Sequence, residues 1–139
     1  MVHTNDYIVM RTIFYKLRPK KIATGKSAGM QKYYAMTAYD GEITLDHLAE
    51  KISRYSTLSR VDIVAVITAL VDEVGEGISE GKIVRLGELG TFRLILNSEG
   101  VEDIEDFKPS MIKRTRVNFH PGQRIKRVQE KLLFVEDKE

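Results

Sequence analysis

Between Ser59 and Leu96 the spacing of apolar residues changes from that of a helix to that of a strand. This switch restricts the chain to folds that place helices before an antiparallel sheet. Ile63, Val64, Val66, Ile67, Leu70, Val71, Val74 and Ile78 recur at helical spacing. After Gly81 the period is two: "KIVRL" reads as a short strand, "GELG" as a turn and "TFRLIL" as a second strand. Phe92 and Leu94 then lie on one side, Arg93 and Ile95 on the other. Alternation returns from Lys113 to Phe119, with Val117 and Phe119 on the apolar face and Arg114, Arg116 and Asn118 opposite. Helices followed by strands joined through short turns define an α+β domain.

The boundaries of these segments carry their own signals. Ser59 caps the long helix, with Asp62 at the third position of a capping box and Leu58 and Ile63 placed for a hydrophobic staple. The apolar positions of that helix cover more than one stripe, so part of it is expected to pack on a second subunit. Gly75 and Gly77 each cost about 1 kcal/mol relative to alanine, which predicts fraying or bending in the last turns. Thr44 caps a shorter helix with Leu45, Leu48, Ala49 and Ile52 on one face, ending near Tyr55. At the other end "HPG" turns the chain into a helix expected over Gln123 to Phe134. Its inward residues are Ile125, Val128, Leu132 and Leu133, with Arg124, Lys126, Arg127 and Lys131 mostly outward.

The N-terminal third is different. Tyr7 to Leu17, "YIVMRTIFYKL", reads as a strand ended by Pro19. A basic loop, "KKIATGKSAG", and a second strand in "KYYAMTAY" follow, making a hairpin or an edge added to a larger sheet. Met10 would serve equally well as an initiator, so residues 1–9 read as a start-site extension.

With 139 residues and 42% apolar content the chain suits one domain plus an extension. No apolar run approaches the roughly 20 residues a bilayer needs, and no signal peptide opens the chain, so a cytoplasmic location is expected. There is no cysteine, and His3, His47 and His120 lack metal-ligand spacing, so neither a disulfide framework nor a zinc site is expected. A net charge of +2 is modest, but its distribution is not. From Met10 to Lys32 there are seven bases and no acid; from Asp40 to Asp106, fifteen acids and six bases; from Phe107 to Lys131, eight bases against Glu130 alone. "ATGKSAG" lacks the earlier glycine and the following helix of a phosphate-binding loop, and no nucleophile, base and acid can be singled out. No cofactor and no catalysis are expected.

"EGKIVRLGELGTFRL" followed by "VNFHPGQRIK" resembles the HU and integration-host-factor family of bacterial histone-like DNA-binding proteins. Leu89, Gly90, Thr91 and Phe92 stand at the family's glycine-containing turn; Phe119, Pro121, Gly122, Ile125 and Lys126 match the motif that opens its last helix. The resemblance covers about residues 43 to 134. It implies a helix pair, a three-stranded antiparallel β saddle with an arm, a C-terminal helix and an intertwined homodimer. Residues 1–42 would then be a basic β extension and 43–139 the HU-like domain.

The resemblance also implies double-stranded DNA as partner, bound with little sequence preference by an architectural, nucleoid-associated protein. Phosphates require several Arg or Lys side chains on one face. The candidates are Arg93, Lys113, Arg114, Arg116 and Asn118 on the strands and Arg124, Lys126 and Arg127 after them, with Lys126 matching a phosphate-contacting lysine of the family motif. The chain departs from the pattern at the arm. "LNSEGVEDIEDFKPS" is short and acidic, lacks the family's proline-bearing tip, and sets Pro109 at the return of the bend. Little or no intercalative kinking is expected, and the acidic segment Glu99–Asp106 is a candidate surface for a protein partner. The rival reading is an HU-fold interaction module that has lost DNA affinity and binds protein through that segment and the N-terminal strands.

Overall fold

The computed structural model describes residues 10–138. The start-site extension, His3 and the first residues of the strand read from Tyr7 lie outside them. In chain order the elements are β1 (Arg11–Lys21), β2 (Gln31–Thr37), α1 (Leu45–Ser53), α2 (Arg60–Ser79), β3 (Val84–Arg85), β4 (Gly90–Ser98), β5 (Ile112–Pro121), α3 (Gln123–Lys126) and β6 (Leu132–Glu136). They form two compact units. One holds residues up to Glu42 and from Arg127 onward, the other Ile43–Lys126. No helix among the described residues is long and apolar enough to cross a membrane.

The first unit is a three-stranded sheet in the order β2-β1-β6. β1 and β2 form an antiparallel hairpin, and β6 runs parallel to β1 with Ile13 beside Phe134 and Tyr15 beside Glu136. Two expectations are corrected here. Pro19 does not end the strand, which continues to Lys21. The Ala38 N–H donates to the Phe14 carbonyl (2.8 Å) and the Ile22 N–H to the Met30 carbonyl (3.0 Å), so the even-numbered residues of β1 bond to β2. The N–H that Pro19 lacks would therefore point away from β2, on the side where pairing with β6 has already stopped at Tyr15, and no ladder bond is lost.

The C-terminal helix expected over Gln123 to Phe134 is also absent as such. One α-helical turn ends at Lys126, a 3-10 stretch covers Arg127–Lys131, and "LLFVE" is strand β6. Leu132, Leu133, Phe134 and Val135 are four consecutive apolar or β-branched residues, a run that serves a strand as readily as a helix. Pairing with β1, more than a hundred residues earlier in the chain, decides between them.

In the second unit α1 packs on α2, and β3-β4-β5 form an antiparallel sheet. Thr44 caps α1 by accepting from the His47 N–H (3.3 Å). At α2 the capping box is complete. Ser59 Oγ accepts from the Asp62 N–H (3.2 Å), and Asp62 accepts from the Ser59 N–H (3.2 Å) and hydroxyl (2.6 Å). The bond from the Ser59 hydroxyl, and then that from its N–H, hold the Asp62 carboxyl below the ordinary aspartate value of 3.8. The helix does not fray at its glycines but runs unbroken to Ser79. A Cβ on Gly77 would meet Val84 Cγ2 at 2.8 Å, so the missing side chain lets β3 lie close against α2. Among the described residues only Ala49 and Ile63 are buried apolar side chains. Val61, Val66 and Val71 of α2 are 59–68% exposed, leaving much of this apolar helix uncovered within one chain.

Candidate nucleic-acid interface

The register of β4 and β5 builds the site. Antiparallel partners directly opposite one another share a face, so Phe92 with Phe119 and Leu94 with Val117 form the apolar side. Arg93 with Asn118, Ile95 with Arg116 and Asn97 with Arg114 form the other. Parity extends that second face toward the Gly90 end of β4 and across onto β3. Thr91 lies opposite His120 on β5 and opposite Arg85 on β3, which adds a cation and an imidazole. Arg85, Arg93, Arg114 and Arg116 are exposed, and among the described residues none has an ion-pair partner. No residue that the register places on this face is acidic. Arg85 escaped the sequence reading although its signal was present: in "KIVRL" it alternates with Val84, and Val84 pairs with Phe92.

Two tight turns fix the end of this face. Gly90, at φ 145°, occupies backbone space that an L side chain rarely adopts. A Cβ there would also stand 2.6 Å from the Phe119 ring. That ring packs on Phe92 with centroids 4.9 Å apart and planes tilted by 41°. Gly122 donates its N–H to the Leu89 carbonyl (3.1 Å), and its carbonyl accepts the Lys126 N–H (3.0 Å). A Cβ at Gly122 would lie 2.6 Å from the Glu88 carbonyl carbon and closer still to its oxygen. The two sequence motifs are thus the two halves of one clasp. Only glycine allows the backbones to approach this closely.

The clasp sets the cations that follow. Lys126 Nζ is 2.9 Å from His120 Nε2, so the ammonium donates to an imidazole on the basic face. Arg124 instead pairs with Glu88 (3.2 Å), both side chains well exposed. Lys113 is the extra residue of a β-bulge: Asn97 pairs with Arg114 but Ser98 pairs with Ile112. It therefore leaves the alternation, and its amine lies 3.4 Å from Glu99. Arg127 belongs to the other unit, on the 3-10 stretch. Of the eight expected residues, Arg93, Arg114, Arg116 and Asn118 are brought to one face and Lys126 is hydrogen-bonded to it. Lys113 and Arg124 are held by carboxylates.

The acidic segment between β4 and β5 is two short 3-10 turns, Ile104–Asp106 and Pro109–Met111, rather than an extended two-stranded arm. Asp103 caps the first by accepting the Glu105 N–H (3.2 Å). Pro109 sits in the second, next to the start of β5. Among the described residues no group of three or more His, Asp or Glu could hold a metal ion.

Residues 12–136 match the family described as an HU domain fused to wHTH, Ig, or glycine-rich motif. Among solved structures, one from Bacteroides vulgatus, described provisionally as a bacterial DNA-binding protein, superposes with a TM-score of 0.60 at 11% identity. The match covers 91% of this chain and 48% of that one, so the chain spans about half its length. No curated protein matches.

Proposed function

This chain belongs to the family of HU domains fused to a winged helix-turn-helix, Ig or glycine-rich motif, and on that premise we propose that it binds double-stranded DNA with little sequence preference, as an architectural protein of the cytoplasmic nucleoid. The observation that carries the reading is the register of β4 and β5, which aligns Arg93, Arg114, Arg116 and Asn118 on one exposed face free of carboxylates. Cations with no ion-pair partner among the described residues are available to replace the counterions of a phosphate row. Arg85 and Lys126 extend the grip. Lys113 and Arg124 contribute only after leaving Glu99 and Glu88.

The working form is a homodimer. The exposed valines of α2 and the half-covered sheet residues Leu94, Val117 and Phe119 supply the apolar surface it would bury. Bound DNA is kinked little or not at all, because Pro109 lies in a compact 3-10 turn beside β5 rather than at the tip of an arm. Nothing in this role requires catalysis.

The test is fluorescence anisotropy on a mixed-sequence duplex of about 30 base pairs across a salt series. Each phosphate contact contributes about 0.9 to the slope of log affinity against log salt. Arg114→Ala with Arg116→Ala should therefore weaken binding and flatten the slope by about 1.8. Absence of wild-type binding at low salt would defeat the proposal. It would favour the rival reading, an interaction module using the acidic segment, for which the pairing of Glu99 with Lys113 and the 86% exposed Ile104 are the supporting observations.

A further inference from the structure

The sheet of the first unit carries a second cationic face that duplex binding by β4 and β5 leaves unused. Register places Lys16, Arg18 and Lys20 of β1 on one side, directly opposite Met36, Tyr34 and Lys32 of β2. Lys16 is tied to Asp137 at 3.3 Å. Arg18, Lys20 and Lys32 are exposed and have no ion-pair partner among the described residues, and no carboxylate belongs to that face of β1 or β2. Tyr34, 47% exposed, lies directly across from Arg18.

Alternate residues of a strand stand about 7 Å apart, a repeat comparable with that of successive phosphates along one nucleic-acid strand. A row of cations at this repeat can follow a sugar-phosphate chain. The ring beside it can stack on a base, as sequence-tolerant single-strand binders require. A duplex keeps the faces of its bases inside the stack and offers Tyr34 nothing to cover. We propose that this face of the β2-β1-β6 sheet binds a single strand of nucleic acid, with Arg18, Lys20 and Lys32 on phosphates and Tyr34 against an unpaired base. The proposal goes beyond the duplex reading and does not depend on it.

The full chain is titrated into a labelled oligothymidylate of about 15 nucleotides, within the site size such platforms occupy, across a salt series. The wild type should bind. Arg18→Ala with Lys20→Ala and Lys32→Ala should weaken binding at least tenfold and flatten the salt slope by about 2, from about 0.7 per contact on a single strand. Tyr34→Leu keeps every charge and should cost about fivefold or more with the slope unchanged. A charge-retaining variant, Arg18→Lys with Lys20→Arg and Lys32→Arg, should restore most of the affinity, separating loss of contacts from loss of fold. Arg114→Ala with Arg116→Ala should leave single-strand affinity within about threefold while duplex affinity falls. The proposal is overturned if the wild type ignores the single strand, if the triple alanine variant binds like the wild type, or if Tyr34→Leu has no effect. None of these results bears on the duplex titration, which reports on the other unit.

Discussion

Replacing Gly122 by alanine would drive a methyl group into the backbone of Glu88, where its Cβ would stand 2.6 Å from the carbonyl carbon and 3.1 Å from the Cα. The obstacle is main chain and cannot swing aside, so the two turns must separate. Forced shifts of this kind cost about 1–3 kcal/mol. Lengthening the bond from the Gly122 N–H to the Leu89 carbonyl, now 3.1 Å, removes about 1 kcal/mol more. The expected destabilisation is about 2–4 kcal/mol, a large share of the roughly 5–15 kcal/mol that holds a domain folded. Gly75→Ala is the internal control. A Cβ there meets nothing within 4 Å and the site is interior to α2, so the substitution should stabilise by about 0.4–1 kcal/mol. Urea unfolding at one fixed protein concentration measures both, since the stability of the proposed dimer would depend on concentration. A Gly122→Ala unfolding free energy within about 0.5 kcal/mol of wild type (on the order of typical independent-site error), or shifts of the same sign for both variants, would refute the clasp.

Ser59→Ala removes the cap of α2 and should cost about 1 kcal/mol in the same assay. The paired carboxyl gives this cap a pH dependence. Because the folded value of Asp62 is depressed, its contribution is fully present above 3.8 and is lost as pH falls through the folded value. The stability gap between wild type and Asp62→Ala should therefore close in acid, and a gap that survives full protonation would count against the cap. Glu88→Gln frees Arg124 from an exposed ion pair. Stability should change by less than about 1 kcal/mol, while duplex affinity rises and the salt slope steepens by up to about 0.9; an unchanged slope would show that Arg124 reaches no phosphate. Phe92→Leu keeps the apolar bulk but loses the ring pair with Phe119, for an expected loss of about 0.5–1.5 kcal/mol by urea unfolding.

Much of the second unit was legible in the chain itself. The caps at Thr44 and Ser59 act over three residues, and strand alternation over two. Both are therefore written locally, as is the shared face of Arg114, Arg116 and Asn118. The matched spacing of the two turn motifs indicated the family, because a glycine needed for close backbone approach marks its place whatever surrounds it. What the sequence could not decide were the choices that depend on a distant partner. Whether "LLFVE" is helix or strand rests on β1 lying beside it, and whether Pro19 breaks a strand rests on which edge its missing N–H would face. Lys113 has the parity of the opposite face and is left unpaired by a bulge that only the pairing with β4 reveals, and His120 joined Lys126 because the chain turns back between them. Caps and periodicity come from short-range sterics and hydrogen bonds within a few residues. Strand pairing, bulges and side-chain contacts across a turn are settled only when remote segments meet, and that meeting belongs to the tertiary structure.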